Sequence, residues 1–316
     1  MTDSIEIKGY HIERLSKKNI HNLNTLHNMV YGKPRDIDYF TMKYDTAYTG
    51  VEYTGYIAYD EKQLPIAYYG VIPCFIRDKD RLYLAAQSAD TMTHPKYRFK
   101  GLFVQLANLT FDLCTEEGVS IIFGFPNQNS LHGFLSKLKW QFTETMDCYI
   151  IPVGIISAEG IARRIPFLDK AYKSYQQQTL KKYLLPQRGI ENSVFKDGFA
   201  GVNRSALYLN YKTYHDTQVI KIGDSLLWIK IKNGFIIGDI NCREEDFDDL
   251  MDKVRRLALK LGLNEIQFHS SHQTTLSGLF AARYDAVPSF HVLFKDMGSH
   301  IPLDKVKFTF ADIDTF

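Results

Sequence analysis

The sequence predicts an α/β protein in which a mixed sheet flanked by helices is built twice along one chain. Three observations predict it. Residues 81–124 read as strand, basic glycine-bearing loop, helix and strand. An ungapped offset of 145 residues brings the second half of the chain onto the first. The length, 316 residues, suits two medium cores better than one enlarged one.

Taken in order, Tyr10 to Leu15 reads as a first strand, Asn19 to Val30 as a helix and Asp36 to Tyr44 as a second, shorter one. Tyr53–Tyr59, Ile66–Ile76 and Arg81–Ala89 are aromatic and β-branched runs joined by charged turns, which predicts three strands. Phe103, Leu106, Ala107, Thr110, Leu113 and Cys114 recur at helical spacing, and Gly118 closes that helix. Ile121–Phe125 is the next strand, Leu131–Leu138 a short helix, and Thr145–Ile151 a final strand. The resulting order is β-α-α-β-β-β-α-β-α-β. Ser157–Leu185 is helical in pattern and ends at Pro186-Gln-Arg-Gly189, so it reads as a bridge into a loop that lasts to about Val202. The expected domains are therefore residues 1–155 and 203–316, with 156–202 as a helical linker.

The offset of 145 aligns Ile121 with Ile266, Phe123 with Phe268, Leu131 with Leu276 and Gly133 with Gly278. Phe247, Leu250, Met251, Val254, Leu257, Ala258 and Leu261 repeat the preceding helix, and Tyr39-x-x-x-Lys43 is echoed by Tyr208-x-x-x-Lys212. The halves differ at the loop: Gly101 corresponds to Asp246, inside a run of carboxylates from Glu244 to Asp252. The alternating tail Lys307–Phe316 predicts an edge strand or a lid, with the alternation favouring the strand.

Composition narrows the function. A net charge of +2 gives no argument for a nucleic-acid partner or an anionic membrane. Cys74, Cys114, Cys148 and Cys242 are far apart and form no C-x-x-C pair, so they predict reduced thiols and neither a disulfide framework nor a zinc site. The first residues lack the apolar core of a signal peptide, and no apolar run approaches the roughly 20 residues that span a bilayer. The expectation is a cytoplasmic protein with no metal, no nucleic-acid partner and no stable membrane insertion. A homodimer is left open. His269-Ser-Ser-His272 offers two ligands without a third and is discounted as a metal pair.

The loop His94-Pro95-x-Tyr97-Arg98-x-x-Gly101-Leu102 is where the chemistry concentrates. A helix start leaves N–H groups unpaired and carries partial positive charge, which favours an anion. Gly101 lets the backbone approach that anion, and Lys96, Arg98 and Lys100 surround it with charge. Arg98-x-x-Gly101 resembles the acetyl-CoA loop of the GNAT (Gcn5-related) N-acetyltransferases. Downstream, Ile121–Asn127 and the helix closing on Lys139-Trp140 resemble that superfamily's later strand-to-helix motif, in the right order and at a fitting distance. The resemblance implies two tandem GNAT-like domains of the acyl-CoA N-acyltransferase fold. Only the first would bind cofactor, because carboxylates at the second loop repel a pyrophosphate by about 1 kcal/mol per pair at 5 Å even in water.

By this resemblance, the backbone of Thr91, Met92 and Thr93 pairs with the pantetheine arm. Arg98, Phe99, Lys100, Gly101, Leu102 and Phe103 hold the pyrophosphate, and Asn127 and Ser130 touch the cofactor from the second junction. Asn127 is equally suited to capping its helix. Asp90, which ends the cofactor strand, is the candidate base, against the reading of a solvated strand-end aspartate. The family's acid is a tyrosine on the short helix, where this chain has Phe134. Tyr149 and Tyr97 are the substitutes, each also readable as packing. Lys139 stands where the family has glycine, and Phe103 where it more often has glycine or alanine. The implied activity is N-acetyl transfer from acetyl-CoA to a small or sugar-borne primary amine, as in cell-surface polysaccharide biosynthesis. The alternatives are a tRNA-dependent aminoacyl transferase of the peptidoglycan-bridge type and a non-catalytic CoA-binding protein.

Overall fold

The computed structural model describes residues 4–7, 9–36, 38–154, 160, 162 and 166–316. The chain folds as two compact units, residues 1–143 with 291–303 and residues 144–290 with 304–316. The second unit thus takes in most of the segment read as a linker, and the first reclaims residues 291–303. The class is α/β with mixed sheets, as the patterning predicts.

In the first unit, β1 (Ser4–Ile7), β2 (Tyr10–Arg14), α1 (His21–Tyr31) and α2 (Tyr39–Tyr44) precede β3 (Gly55–Tyr59), β4 (Pro65–Asp78) and β5 (Arg81–Thr93). Then come α3 (Leu102–Glu116), β6 (Ile121–Gly124) and α4 (Gln128–His132). These strands lie in chain order from β1 to β6, and the segment Leu293–Asp296 pairs with the outer side of β6. Neighbours are antiparallel except β5 and β6, which are parallel because α3 carries the chain back across one face. The helical run expected at 131–138 is split: α4 stops at His132 and a π-turn covers Gly133–Lys137. The core under α3 is aromatic and aliphatic, with Leu102, Leu106, Phe111 and Cys114 packed over Tyr69, Val71, Ala86 and Ile122.

β7 (Gln141–Pro152) carries the chain into the second unit, followed by α5 (Pro166–Leu180) and β8 (Leu184–Leu185). Of the helix read over 157–185, residues 157–159, 161 and 163–165 lie outside the described residues, and its last two form an edge strand on β10 instead. Then follow β9 (Gly201–Val202), α6 (Ala206–Tyr211), β10 (Gln218–Ile222), β11 (Ser225–Ile231), β12 (Phe235–Asn241), α7 (Phe247–Lys260), β13 (Glu265–Ser270), α8 (Thr275–Ala281) and β14 (Ala286–Asp296). Here β12 and β13 are the parallel pair, crossed by α7. Their first rung joins Phe235 to Ile266, as the first rung of β5 and β6 joins Ala85 to Ile121; Ile266 follows Ile121 at the offset of 145, whereas Phe235 follows Ala85 by 150 residues, so the offset holds for the second strand of the pair and not for the first.

The tail departs from its predicted strand. Thr309 accepts from and caps a short turn, Phe310–Asp312, whose Asp312 carboxylate accepts back from the Thr309 N–H at 2.8 Å. That capping box and the burial of both faces, polar as well as apolar, win over the alternation.

Candidate functional site

The parallel ladder of the first unit ends at the rung Ser88–Gly124. Beyond it β6 turns away through Phe125-Pro126-Asn127, while β5 runs on through Ala89 to Thr93 without a β6 partner. A gap therefore opens between the carboxyl ends of two parallel strands, where ligands enter open α/β sheets. Gly124 makes the narrow end of that gap compatible with its walls: a Cβ there would sit 3.3 Å from both the Ser88 Cβ and the Trp140 ring.

At the end of β5 the chain turns through Pro95–Tyr97, with the His94 imidazole accepting from the Lys96 N–H at 3.3 Å. Tyr97 is anchored by donating to the Asp60 carboxylate at 2.9 Å, and its ring carries the Lys100 ammonium at 4.9 Å. Phe99 (φ +65) and Gly101 (φ +83) both adopt left-handed backbone, and the Phe99 side chain is fully exposed. Gly101 is the N-cap of α3, and no side chain caps the helix. The first intrahelical bond runs from the Gln105 N–H to the Gly101 carbonyl at 3.1 Å. The N–H groups of Phe99, Lys100, Gly101, Leu102, Phe103 and Val104 have no partner among the described residues. Six successive donors thus stand at the start of a 15-residue helix, beside the exposed side chains of Lys96, Arg98 and Lys100. An anion would satisfy them.

Asp90 is not the free strand-end carboxylate that a base would be. Tyr68 pairs with Met92 and Gly70 with Ala89, so Asp90 and Thr91 bulge out of β5, and Asp90 takes φ +51. Its carboxylate meets the Lys43 ammonium at 2.6 Å and accepts from the Tyr44 hydroxyl at 3.0 Å. Lys43 is 1% exposed and also lies 5.4 Å from the Tyr39 ring centroid. With Lys43 and Tyr44 both on the carboxylate, its visible work is to pin the bulge beside Thr91, Met92 and Thr93. The sequence held the partner in view, because Tyr39-x-x-x-Lys43 is the repeated motif. In the second unit Lys212 likewise lies over Tyr208, at 5.9 Å, and donates to the Ile313 carbonyl at 2.8 Å.

Phe134 occupies the π-turn after α4 and is buried against Trp140, Phe103 and Tyr69, with ring centroids at 4.8, 5.5 and 6.4 Å. Phe103 packs so closely on this turn that a Cβ on Gly133 would lie 2.9 Å from its ring. The one hydroxyl in this cluster belongs to Tyr69, which receives a hydrogen bond from Ser88 at 3.1 Å, at the last rung of the ladder. Burial holds the Tyr69 phenol well above the usual tyrosine range. Sequence reasoning missed this pair, since Tyr69 sits in a strand buried on both faces and carries no distinguishing pattern.

Asn127 caps α4, its side-chain oxygen accepting from the Asn129 and Ser130 N–H groups at 3.0 and 3.2 Å, and the Ser130 hydroxyl donates to the Asn127 carbonyl. The structure puts both at the β6 side of the gap. Tyr149 is elsewhere: on β7 in the second unit, 0% exposed, it donates to the Ser277 carbonyl at 3.2 Å and packs on Phe280. Its phenol is a core group, raised by burial.

The second unit has the corresponding gap, since the β12–β13 ladder ends at Ile237–Phe268. The gap is filled. Phe308 exchanges hydrogen bonds with Ser271, Thr309 bridges Ser270, and the Phe316 ring lies where a Cβ on Gly238 would be, 2.2 Å away. Arg204, 0% exposed, joins Asp312 to Asp239 and keeps its charge. At the loop, Asp246 is the N-cap of α7 and pairs with Arg243, and Asp248 pairs with Arg283.

Residues 11–143 match the family model of the acetyltransferase (GNAT) domain. The fold resembles that of a GCN5-related N-acetyltransferase from Anabaena variabilis, with a TM-score of 0.56 and 14% identity over 91% of this chain and 73% of that one. A probable N-acyltransferase from Enterococcus faecalis gives 0.59 at 12% identity, over 92% and 73% of the two chains. A putative acetyltransferase from Pyrococcus horikoshii gives 0.54 at 12%, over 98% and 96%. At such identities the likeness is one of fold. No protein of curated function matches the chain.

Proposed function

We propose that the first unit binds acetyl-CoA and transfers its acetyl group to a primary amine, on a small molecule or a sugar. The observation that carries this is the row of unpartnered N–H groups from Phe99 to Val104, capped by Gly101 and opening onto the gap beyond Ser88–Gly124. The row would hold the pyrophosphate, with Arg98 and Lys100 adding charge. The stretch Ala89–Thr93, paired with β4 but without a partner on its β6 side, would receive the pantetheine arm as an added strand, leaving the thioester at the narrow end of the gap. Asn127 and Ser130 flank that path.

In the reaction the amine forms a C–N bond to the thioester carbonyl and the C–S bond breaks. The ammonium proton leaves to water, because Asp90 is held by Lys43, and Asp90 acts by fixing the bulge. The thiolate needs a proton. Phe134 has none, and the Tyr69 hydroxyl, hydrogen-bonded to Ser88 at the last rung, is the donor assigned here, against the cost that burial makes it a weaker acid. If Tyr69 does not serve, the buried Phe134 favours a CoA-binding protein without turnover. The second unit acts as a structural partner that binds no cofactor, a reading supported by Asp246 at its loop and Phe316 in its gap.

The test is calorimetric titration of the full chain with acetyl-CoA, with desulfo-CoA as the control, followed by an amine screen. One site per chain supports the reading. No binding at millimolar acetyl-CoA, or two equivalent sites, overturns it.

A further inference from the structure

A second concave site lies in the second unit, at the carboxyl end of α7. It is a cavity of about 450 Å³ between the last turns of α7, the residues leading into β8 and the β10–β11 turn. Lys182, Lys221, Lys253, Arg256 and Lys260 line it, and no carboxylate does. Its floor is apolar: Ile222 and Leu257 are buried and Tyr183 is half-buried. Among the described residues only Lys253 of these five has a carboxylate partner, Asp249 at 2.6 Å one helical turn away, in an exposed pair of little strength. Lys182 rests on the Tyr183 ring at 4.7 Å.

Cations in the last turns of a helix complement its dipole, and that accounts for Arg256 and Lys260. It does not account for Lys182 and Lys221, which come from two other segments and line the same space. A cavity of this volume is roughly 9 Å across, and unit charges about 8 Å apart repel by about 0.5 kcal/mol per pair even in water. Five such charges without a carboxylate among them make a standing field that a multiply charged anion relieves. The volume lies within the usual range for small-ligand sites, about 300–1,000 Å³, which combine an apolar floor with a few convergent polar groups.

We infer that this cavity binds a phosphorylated ligand of small-molecule size, its phosphates among the five cations and its apolar body on Tyr183, Ile222 and Leu257. The ligand is either a free nucleotide-like metabolite or the headgroup of a phospholipid, the shared chemistry being phosphate on an apolar body. The site is separate from the loop of the first unit.

The experiment uses the full chain carrying Gly101→Glu, so that the first unit's loop is silenced. ATP and inorganic pyrophosphate are titrated by calorimetry at low and at physiological salt. Vesicles of phosphatidylcholine with a phosphoinositide, and a single-stranded RNA, are tested by co-sedimentation and polarisation. ATP should bind about tenfold tighter than pyrophosphate and weaken with salt. Lys221→Glu or Arg256→Glu should each cost at least tenfold, with circular dichroism unchanged, since both side chains are exposed. Vesicle binding lost in the same variants supports the inference and assigns the headgroup as the source; ATP binding alone supports it and assigns a soluble ligand. The inference is overturned if no probe binds, if the reversals leave binding unchanged, or if RNA alone binds. It is also overturned if the parent binds ATP and the Gly101→Glu chain does not.

Discussion

Lys43→Met tests the clamp on the β5 bulge. The Lys43 ammonium is 1% exposed and 2.6 Å from an Asp90 carboxylate that is itself 15% exposed. At an effective dielectric of about 20 this pair attracts by about 6 kcal/mol, and removing one partner of a buried pair costs about 3–5 kcal/mol because the other charge is left behind. Methionine keeps the volume, so the loss is electrostatic. Asp90 then retains only the Tyr44 hydroxyl. Urea unfolding is the assay, and the two tryptophans separate the units: Trp140 is buried in the first and Trp228 in the second. In a Trp228→Phe background, Lys43→Met should lower the stability read at Trp140 by about 3–5 kcal/mol. The pair Lys43→Met with Asp90→Asn should recover at least half of the summed single losses. Acetyl-CoA affinity should fall alongside, since Thr91–Thr93 follow the bulge directly. A loss under about 1 kcal/mol with additive single effects would refute the clamp and return Asp90 to candidacy as a base.

Three further outcomes follow from the same geometry. Gly101→Glu should abolish acetyl-CoA binding by calorimetry, because it puts a carboxylate against the N–H row; Gly101→Asn, which tolerates the left-handed φ of +83, should bind within a few-fold of the parent. Tyr69→Phe should lower kcat at least tenfold with acetyl-CoA affinity unchanged, and an unaltered kcat would remove Tyr69 as the acid. In the second unit, burial depresses the Lys212 ammonium to about 7. The unfolded chain then binds the extra proton between about pH 7 and the ordinary lysine range, so stability rises with pH above 7, by at most about 1.4 kcal/mol per pH unit. Denaturant titrations at pH 7 and 8.5 should show this rise in the parent and a flatter profile in Lys212→Met.

What the sequence made legible was whatever periodicity and backbone chemistry encode locally. The apolar face of α3, the positive-φ glycine at its start and the strand on either side were all readable, and so was Asp246 as the counterpart of Gly101. The roles that depend on a distant partner were not. Nothing local says that Lys43 reaches Asp90, although the motif containing it was visible twice. Tyr69 was invisible because a strand buried on both faces shows no alternation. Tyr149 was named only because Phe134 stands where a tyrosine was sought, yet Phe280 and the Ser277 carbonyl claim it. The tail misled through a true alternation that a capping box and an arginine between two carboxylates overrode.

The assignment of residues 291–303 to the first unit sets the order in which the protein can be completed. The outer edge of β6 is closed by Leu293–Asp296. On a ribosome those residues emerge about 150 residues after residue 143, or about 7–30 s later at ordinary elongation rates. For that interval the first unit carries an open strand edge of Ile121, Ile122, Phe123 and Gly124. Such an edge is a template for pairing with other chains. Refolding of the intact chain should share the delay in another form, with a slow phase set by closure of that long loop.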